Sequence, residues 1–278
     1  MTNKKQRLDQ LLVEKKLVTG RAQAKALIMA GQVFADGVKI EKAGTSINST
    51  ANIEIKGETL PFVSRGGLKL VKALQEFKLD LKGKIVLDIG ASTGGFTDCV
   101  LQNGAQKVYA VDVGYGQLAW TLRQDQRVIV LERKNARYLS FKDIPEEVDL
   151  ITIDVSFISA RKILPVIKKF LKESGLILFL LKPQFEVGRQ QVGKKGVVRD
   201  PHIHCQVIRD LIEFNESINL KLQGLTFSPL QGPRGNLEFW LALQKNGVVE
   251  NWFSHGKTEL INQVVREGHR YFKGGENV

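Results

Sequence analysis

Hydrophobic positions near the start of the chain follow a helical period twice and then alternate. The first helical set begins after Arg7 and comprises Leu8, Leu11, Leu12 and Val13. The second follows Thr19, ends at Gly31 and comprises Ala22, Ala26, Leu27 and Met29. These sets predict two helices. Alternation in QVFADGVKIEK around Asp36-Gly37 predicts a hairpin, and INSTANIEI predicts a further strand, so this part of the chain forms a small α+β domain.

The pattern changes after GETLPFVSRGG, where Pro61 and the pair Gly66-Gly67 predict a break. Apolar runs then alternate with helical segments, and the runs are KIVLDIG, KVYAVDVG, RVIVLER, DLITIDVS and GLILFLLKP. Runs this apolar indicate strands buried on both faces, and therefore a doubly wound α/β sheet. KLQGLTFSPL and NLEFWLALQK predict an antiparallel edge, and residues 252–272 predict a last helix. The predicted boundaries are 1–59 for the first domain, 60–66 for a linker and 67–278 for the second domain.

Composition adds a preference for a polyanionic partner. Lys and Arg number 41 against 29 Asp and Glu, a net charge of +12, which favours nucleic acid or an anionic membrane surface without choosing between them. Cys99 and Cys205 lack metal-ligand spacing, which is typical of a reduced, intracellular protein. The polar N-terminus shows no signal peptide, and the apolar run Leu176 to Leu181 is too short to span a bilayer. We therefore expect a cytoplasmic protein without integral membrane association.

A glycine-rich segment follows the first strand of the predicted sheet. It reads Gly-x-x-x-Gly-Gly after a carboxylate, whereas a dinucleotide site needs Gly-x-Gly-x-x-Gly. An acid before the first glycine suits a cationic amino-acid portion without pyrophosphate, which describes S-adenosylmethionine. Asp112 is placed for ribose hydroxyls, although its spacing also suits NAD. Asn135 meets the adenine or caps a helix, and Asp88 faces the cofactor or braces its loop. The predicted cofactor set is Asp88, Gly90, Ser92, Thr93, Gly94, Gly95, Phe96, Asp112, Val113, Asn135 and Asp154.

Two lysines and two acids fall at a helix start or at strand ends of the same sheet, where such sheets place their chemistry. In chain order they are Lys69, Asp154, Lys182 and Glu238, a set that resembles the tetrad of 2′-O-ribose methyltransferases. A ribose 2′-hydroxyl is a poor nucleophile and needs a base, for which we favour Lys182 because Pro183 ends its strand. Lys69 and Glu238 would support that base, and Asp154 would orient it near the sulfonium. Each residue alone could instead be an ordinary strand end or exposed edge.

The helix-helix-hairpin segment RLDQLLVEKKLVTGRAQAKALIMAGQVFADGVKI resembles the RNA-binding domain shared with small-subunit ribosomal protein S-four. The resemblance implies that Arg21 and Lys25 face phosphates; the alternative is a solvated helix face. A basic loop after the catalytic strand would add RNA contacts. The predicted RNA-binding set is Arg7, Arg21, Lys25, Arg65, Arg189, Lys194, Lys195 and Arg199. No metal is expected, because His202, His204 and Cys205 would splay over different faces of one helix.

Longer strings extend the resemblance over nearly the whole chain. They are VSRGGLKL, VLDIGASTGGFTDCVLQNGA, VDVGYGQLAW, ITIDVSFIS, LLKPQFEVGR and SPLQGPRGNLEF, and with them the chain resembles the TlyA family, similar to the FtsJ/RrmJ group. The resemblance implies a class I Rossmann-like methyltransferase sheet with a small N-terminal α+β RNA-binding domain. It also implies S-adenosylmethionine-dependent methylation of cytidine 2′-hydroxyls in ribosomal RNA or ribosomal subunits, with no obligate protein partner.

Two alternatives and one departure accompany this resemblance. The family is often labelled hemolysin, but a membrane-active protein would need a membrane-inserting segment, and none is evident. A catalytically silent ribosome-assembly factor would not need the tetrad. The departure concerns the linker, which reads Arg-x-Trp-Val in some members and Leu60-Pro61-Phe62-Val63 here. If cofactor binding is coupled to the linker in those members, we do not expect the same linker contacts to provide that coupling in this chain.

Overall fold

A computed structural model describes residues 5–18, 20–29, 31–56, 60–232, 234–245 and 256–273. Contacts divide the chain into two units, Met1–Arg65 and Gly66–Val278. Thr19 and residues 252–255, which the sequence analysis assigned to helix boundaries, lie outside the described residues.

The first unit combines two short helices with small antiparallel sheets. Leu8, Leu12, Ala24 and Ile28 form its buried centre together with Val33. Leu8 and Leu12 belong to the first helical set in the sequence, whereas Ala24 and Ile28 were not in the second set, of which Leu27 packs against this centre. Asp36 and Gly37 have positive φ and join two paired strands, as a tight hairpin requires. In chain order its elements are β1 (Lys5–Arg7), α1 (Leu8–Glu14), α2 (Arg21–Met29), β2 (Val33–Ala35), β3 (Val38–Lys39), β4 (Ser46–Asn48) and β5 (Ile53–Ile55).

The prediction of one strand over INSTANIEI was wrong. Asn48 accepts hydrogen bonds from the backbone N–H and the hydroxyl of Thr50, which turns the chain between β4 and β5. β4 then pairs with β1, a strand that the sequence analysis did not predict, and β5 pairs with β2. Strands of three residues are too short to show an alternating pattern of their own.

The second unit is built on one seven-stranded sheet with the order β11-β12-β10-β9-β6-β7-β8. The five predicted buried strands are parallel, and the antiparallel β12 lies between β10 and the edge strand β11. Glu238 immediately precedes β12 instead of lying within it. The strands are β6 (Ile85–Ile89), β7 (Lys107–Val111), β8 (Val128–Leu131), β9 (Val148–Ile153), β10 (Leu171–Leu181), β11 (Leu220–Phe227) and β12 (Phe239–Lys245).

Helices cover both faces of this sheet. Ile89, Ile151 and Phe179 pack in one cluster with residues of the last two long helices. On the opposite face, Trp240 stacks against Phe96 at a centroid distance of 5.5 Å. This two-sided burial explains why the parallel strands are apolar throughout. The helices are α3 (Gly66–Glu76), α4 (Gly95–Gln102), α5 (Trp120–Arg123), α6 (Leu164–Ile167), α7 (Pro201–Ser217) and α8 (Lys257–Lys273).

None of the helices in the described ranges is both long enough and apolar enough to cross a membrane.

Candidate active site

Two lysine–carboxylate pairs converge at the carboxyl end of the sheet. Lys69, in the first turn of α3, donates to Glu238 with a Nζ–Oε2 distance of 2.6 Å. Lys182, which follows β10, forms an ion pair with Asp154, which follows β9. The two pairs lie near each other, because the charges of Asp154 and Lys182 both act on Glu238. Residues separated by up to 169 positions in the sequence thus form one charged cluster.

The cluster is largely withdrawn from water. The side chain of Glu238 is fully buried, and those of Lys69 and Lys182 are 12% and 11% exposed. Burial raises the pKa of Glu238, while the ammonium group of Lys69 acts in the opposite direction. A Cβ atom at Gly232 would lie 2.5 Å from Glu238 Oε1, so a glycine is required where the backbone passes this carboxylate. Glu238 is therefore not the exposed edge residue that the sequence alone allowed.

The glycine-rich loop lies directly beside this cluster. Gly90 has φ of +85°, and a Cβ there would overlap the backbone carbonyl of Asp154. Gly94 has φ of +100° and immediately precedes α4. Asp112, at the end of β7, accepts hydrogen bonds from the backbone N–H groups of Ser92 at 2.8 Å and Gly114 at 2.7 Å. The loop and Asp112 therefore form a continuous cradle at the carboxyl ends of β6 and β7.

Two residues of the predicted cofactor set have structural partners of their own. Asp88 is fully buried and accepts hydrogen bonds from Thr97 at 2.7 Å and Thr152 at 2.9 Å. Burial raises its pKa to about 6. Asn135 caps a 3-10 helix by accepting a hydrogen bond from the backbone N–H of Arg137. For both residues the observed contacts are those of the structural alternative that the sequence left open, and cofactor contact stays a prediction.

Two arginines of the predicted RNA-binding set share one buried acid in the first unit. Arg7 and Arg21 each reach Asp9 at 3.0 Å, and the hydrogen bond from Arg7 lowers the pKa of this buried carboxyl to about 2. Both arginine side chains remain about half exposed. Lys25 and Arg65 are exposed. Arg7 and Arg21 thus anchor α1 and α2 while leaving part of each guanidinium open to solvent.

The basic loop of the second unit is tied to the segment that carries Glu238. Asn236, two residues before it, accepts from the Val198 N–H at 3.0 Å and donates to the Gly196 carbonyl at 2.9 Å. Lys195 and Arg199 are exposed, whereas the side chains of Arg189 and Lys194 lie outside the described part of the structure. Asn236 was missed by the sequence analysis, since a buried loop asparagine carries no distinctive pattern.

Phe157, three residues after Asp154, is a further candidate that the sequence did not predict. Its side chain is 90% exposed, its φ is +63°, and its ring lies 5.0 Å from that of Phe185. A bulky residue with positive φ is an outlier that marks functional sites. With Arg137 and Lys162, the two rings line a cleft of about 480 Å³. The available signal was an aromatic residue three positions after a strand-end aspartate.

Comparisons with known proteins identify the enzyme family to which this site belongs. Residues 62–245 match the FtsJ-like methyltransferase family, and residues 6–53 match the S4 domain. The chain belongs to the FtsJ-like methyltransferases. It is 50% identical to YqxC of Bacillus subtilis, a candidate rRNA methyltransferase, over 98% of this chain and 97% of that protein.

Two further relatives connect this FtsJ-like methyltransferase to TlyA and to the hemolysin label. The 16S/23S rRNA (cytidine-2′-O)-methyltransferase TlyA of Mycobacterium tuberculosis is 41% identical over 94% of this chain and 98% of its own length. The solved structure of a candidate hemolysin from Streptococcus thermophilus is 44% identical, covers 100% of both chains and superposes with a TM-score of 0.78. The prediction of the family and of a Rossmann-like methyltransferase fold is confirmed.

The cofactor of this FtsJ-like methyltransferase is S-adenosylmethionine, as predicted. The residues present fit this cofactor, because the glycines of the 90–95 loop place backbone without Cβ atoms at the carboxyl edge of the sheet. The carboxylate of Asp112 keeps lone pairs for ribose hydroxyls beyond those that accept from Ser92 and Gly114. Asp154 connects this cradle to Lys182, because its backbone lies against Gly90 and its carboxylate forms the ion pair with Lys182.

Proposed function

We propose that this enzyme methylates the 2′-hydroxyl of cytidine in ribosomal RNA. The observation that carries the proposal is the pair of buried lysine–carboxylate contacts beside the cofactor cradle. A 2′-hydroxyl is a poor nucleophile and needs a positioned base, whereas a ring nitrogen carries its own lone pair. The name of the Mycobacterium tuberculosis relative supports cytidine and ribosomal RNA.

In the proposed reaction, bound S-adenosylmethionine supplies an electrophilic methyl group on its sulfonium. Lys182, as the neutral amine, would accept the proton of the 2′-hydroxyl while the 2′-oxygen bonds to the methyl carbon and the carbon–sulfur bond breaks, so that its electron pair stays on sulfur and a neutral thioether leaves. Asp154 stabilises the ammonium group that results, and the fixed pair holds the base in place. Lys69 and Glu238 form the second pair and balance the charge next to it. The proton leaves to solvent after the product departs.

The cleft beside Phe157 supports the docking of an unpaired nucleotide. Base stacking on an aromatic side chain contributes about 1–3 kcal/mol per base and tolerates any sequence. Phe157 follows Ser156, whose hydroxyl accepts a hydrogen bond from Lys182, and Arg137 and Lys162 place positive charge on the same cleft for a phosphate. We propose that this cleft holds the target cytosine or its neighbour during transfer.

The proposed partner is ribosomal RNA, alone or in a ribosomal subunit, and the proposed location is the cytoplasm. Phosphate contacts would come from the predicted set Arg7, Arg21, Lys25, Arg65, Arg189, Lys194, Lys195 and Arg199. The net charge of +12 favours such a partner. The S4 match, over residues 6–53, supports Arg7, Arg21 and Lys25.

A transfer assay on isolated ribosomal subunits tests this proposal. The enzyme is incubated with subunits and methyl-labelled S-adenosylmethionine, and the RNA is digested to nucleosides for mass spectrometry. We expect the label in 2′-O-methylcytidine. Label confined to base-methylated nucleosides would contradict the proposed reaction, and unlabelled RNA would favour the catalytically silent assembly factor.

We expect the Arg21→Ala/Lys25→Ala double variant to bind ribosomal RNA more weakly and with a shallower salt dependence. Each lost phosphate contact should reduce the slope of log affinity against log salt by about 0.7 to 0.9. Filter binding at several salt concentrations measures the slope, and calorimetry checks that cofactor affinity is unchanged. Lys78→Ala/Lys82→Ala, which removes two exposed lysines of the second unit, is the matched control.

Because Arg21 also contacts Asp9, the unfolding temperature of the double variant must be compared with that of the parent. A folded variant with the parental affinity and salt slope would show that these two residues do not contact RNA.

A further inference from the structure

The ammonium group of Lys182 makes a second polar contact that the tetrad does not include. It donates a hydrogen bond to the hydroxyl of Ser156, with a Nζ–Oγ distance of 3.1 Å. Ser156 lies in the loop after β9, two residues beyond Asp154 and next to Phe157. The ion-pair partner and the hydrogen-bond acceptor of the Lys182 ammonium therefore come from one short segment of the chain.

We propose that Ser156 is a positioning residue that directs the lone pair of Lys182 at the 2′-hydroxyl. A neutral lysine amine has two N–H donors and one lone pair in a tetrahedral arrangement. Ser156 accepts one N–H in a hydrogen bond, and the carboxylate of Asp154, in its ion pair with Lys182, occupies a second direction around the nitrogen, so the remaining direction belongs to the lone pair. With Asp154 alone, the amine can rotate and point an N–H at the substrate. This inference rests on the proposed function, because only a base needs its lone pair aimed.

The same hydrogen bond affects the charge of the base. A hydroxyl oxygen accepts more strongly from an ammonium than from an amine, so Ser156 also stabilises the protonated form that appears during transfer. Removing it should weaken proton acceptance and at the same time enlarge the neutral fraction of the free enzyme. The other groups that face Lys182 are the carboxylates of Asp154 and Glu238 and, beyond Glu238, the ammonium of Lys69. These remain in the variant and set the rest of the pH profile.

We expect Ser156→Ala to lower the plateau kcat about 10-fold, because hydrogen bonds to charged groups contribute tenfold or more. The ascending limb of its pH–kcat profile should move to lower pH, while KM for RNA and calorimetric affinity for S-adenosylmethionine stay within about twofold. Ser156→Thr, which keeps the hydroxyl, should restore most of the rate. The control is Ser217→Ala, which removes a hydroxyl bonded to the Phe214 carbonyl at the end of α7.

The unfolding temperature should be unchanged in both alanine variants, since Ser156 and Ser217 are exposed. A Ser156→Ala enzyme with the parental rate and profile would overturn the proposal, as would a loss of rate without movement of the limb or rescue by threonine. Lys182→Ala separates this failure from failure of the proposed function. If Lys182→Ala is inactive and Ser156→Ala is not impaired, only the role of Ser156 is wrong; if both are fully active, the assignment of Lys182 as the base fails with it. Failure of the proposed function is distinguishable from both, because the parent enzyme would then leave no label in 2′-O-methylcytidine.

Discussion

Replacing Lys182 by alanine is expected to lower turnover by roughly two to four orders of magnitude, the usual contribution of a general base. Lys182 has no substitute at its position, because the other lysine of the cluster is bonded to Glu238 and not to Asp154. Affinity for S-adenosylmethionine should stay within a few-fold, since the cradle is formed by the glycine loop and Asp112. Single-turnover transfer to ribosomal RNA measures the rate, and calorimetry measures the affinity.

Lys72→Ala is the matched control for losing a partly buried lysine. Its ammonium lies 3.3 Å from the centroid of the Phe227 ring, so this lysine supports packing and is not part of either tetrad pair. We expect Lys72→Ala to lower stability more than turnover. Full activity of Lys182→Ala would refute the assignment of Lys182 as the base.

Replacing Gly94 by valine is expected to abolish measurable S-adenosylmethionine binding, which we expect to be micromolar in the parent. The φ of +100° is strained for valine, and a Cβ would overlap Leu122 Cδ1 and lie 2.8 Å from Leu118 Cδ1. The loop must then shift. Strain of about 1–3 kcal/mol together with displaced backbone corresponds to a loss of roughly a hundredfold or more in affinity.

Gly83→Val separates this effect from backbone strain alone. Gly83 has φ of +72°, and nothing lies within 4 Å of a Cβ built there. It should lower the unfolding temperature without changing calorimetric binding of the cofactor. Binding of S-adenosylmethionine to a folded Gly94→Val variant with parental affinity would remove the loop from the cofactor site, and tighter binding of NAD by the parent would contradict the cofactor prediction.

The parallel strands could be predicted because burial on both faces leaves an apolar run with polar ends. The hairpin could be predicted because Asp36 and Gly37 tolerate positive φ. β1 and the division of INSTANIEI into β4 and β5 could not, since the pairing of these strands depends on contacts between segments about 20 to 40 residues apart and not on a local pattern. The place of β12 between β10 and β11 likewise follows from packing across the sheet.

Within the site, residue types and strand ends indicated the four tetrad residues but not how they pair. Lys69 contacts Glu238 because α3 and the segment before β12 approach each other in space. Lys182 contacts Asp154 because β9 and β10 are neighbouring parallel strands that end side by side. Phenylalanine rarely has positive φ or a largely exposed side chain, so these two properties of Phe157 could not be predicted from residue propensities. The burial of Asp88 could not be predicted either, because it depends on the hydroxyls of Thr97 and Thr152, which only the fold brings to this carboxylate.

The most direct test of the proposed function is a map of 2′-O-methyl groups across ribosomal RNA from cells that make the parent enzyme, the Lys182→Ala variant or neither. Alkaline hydrolysis spares the linkage that follows a 2′-O-methyl ribose, so protected positions can be read by sequencing. We expect protection at one or more cytidines with the parent enzyme only. Identical maps in all three strains would contradict the proposed function, whereas a position protected at the parental level with Lys182→Ala but absent from the strain that makes neither would contradict only the assignment of Lys182 as the base.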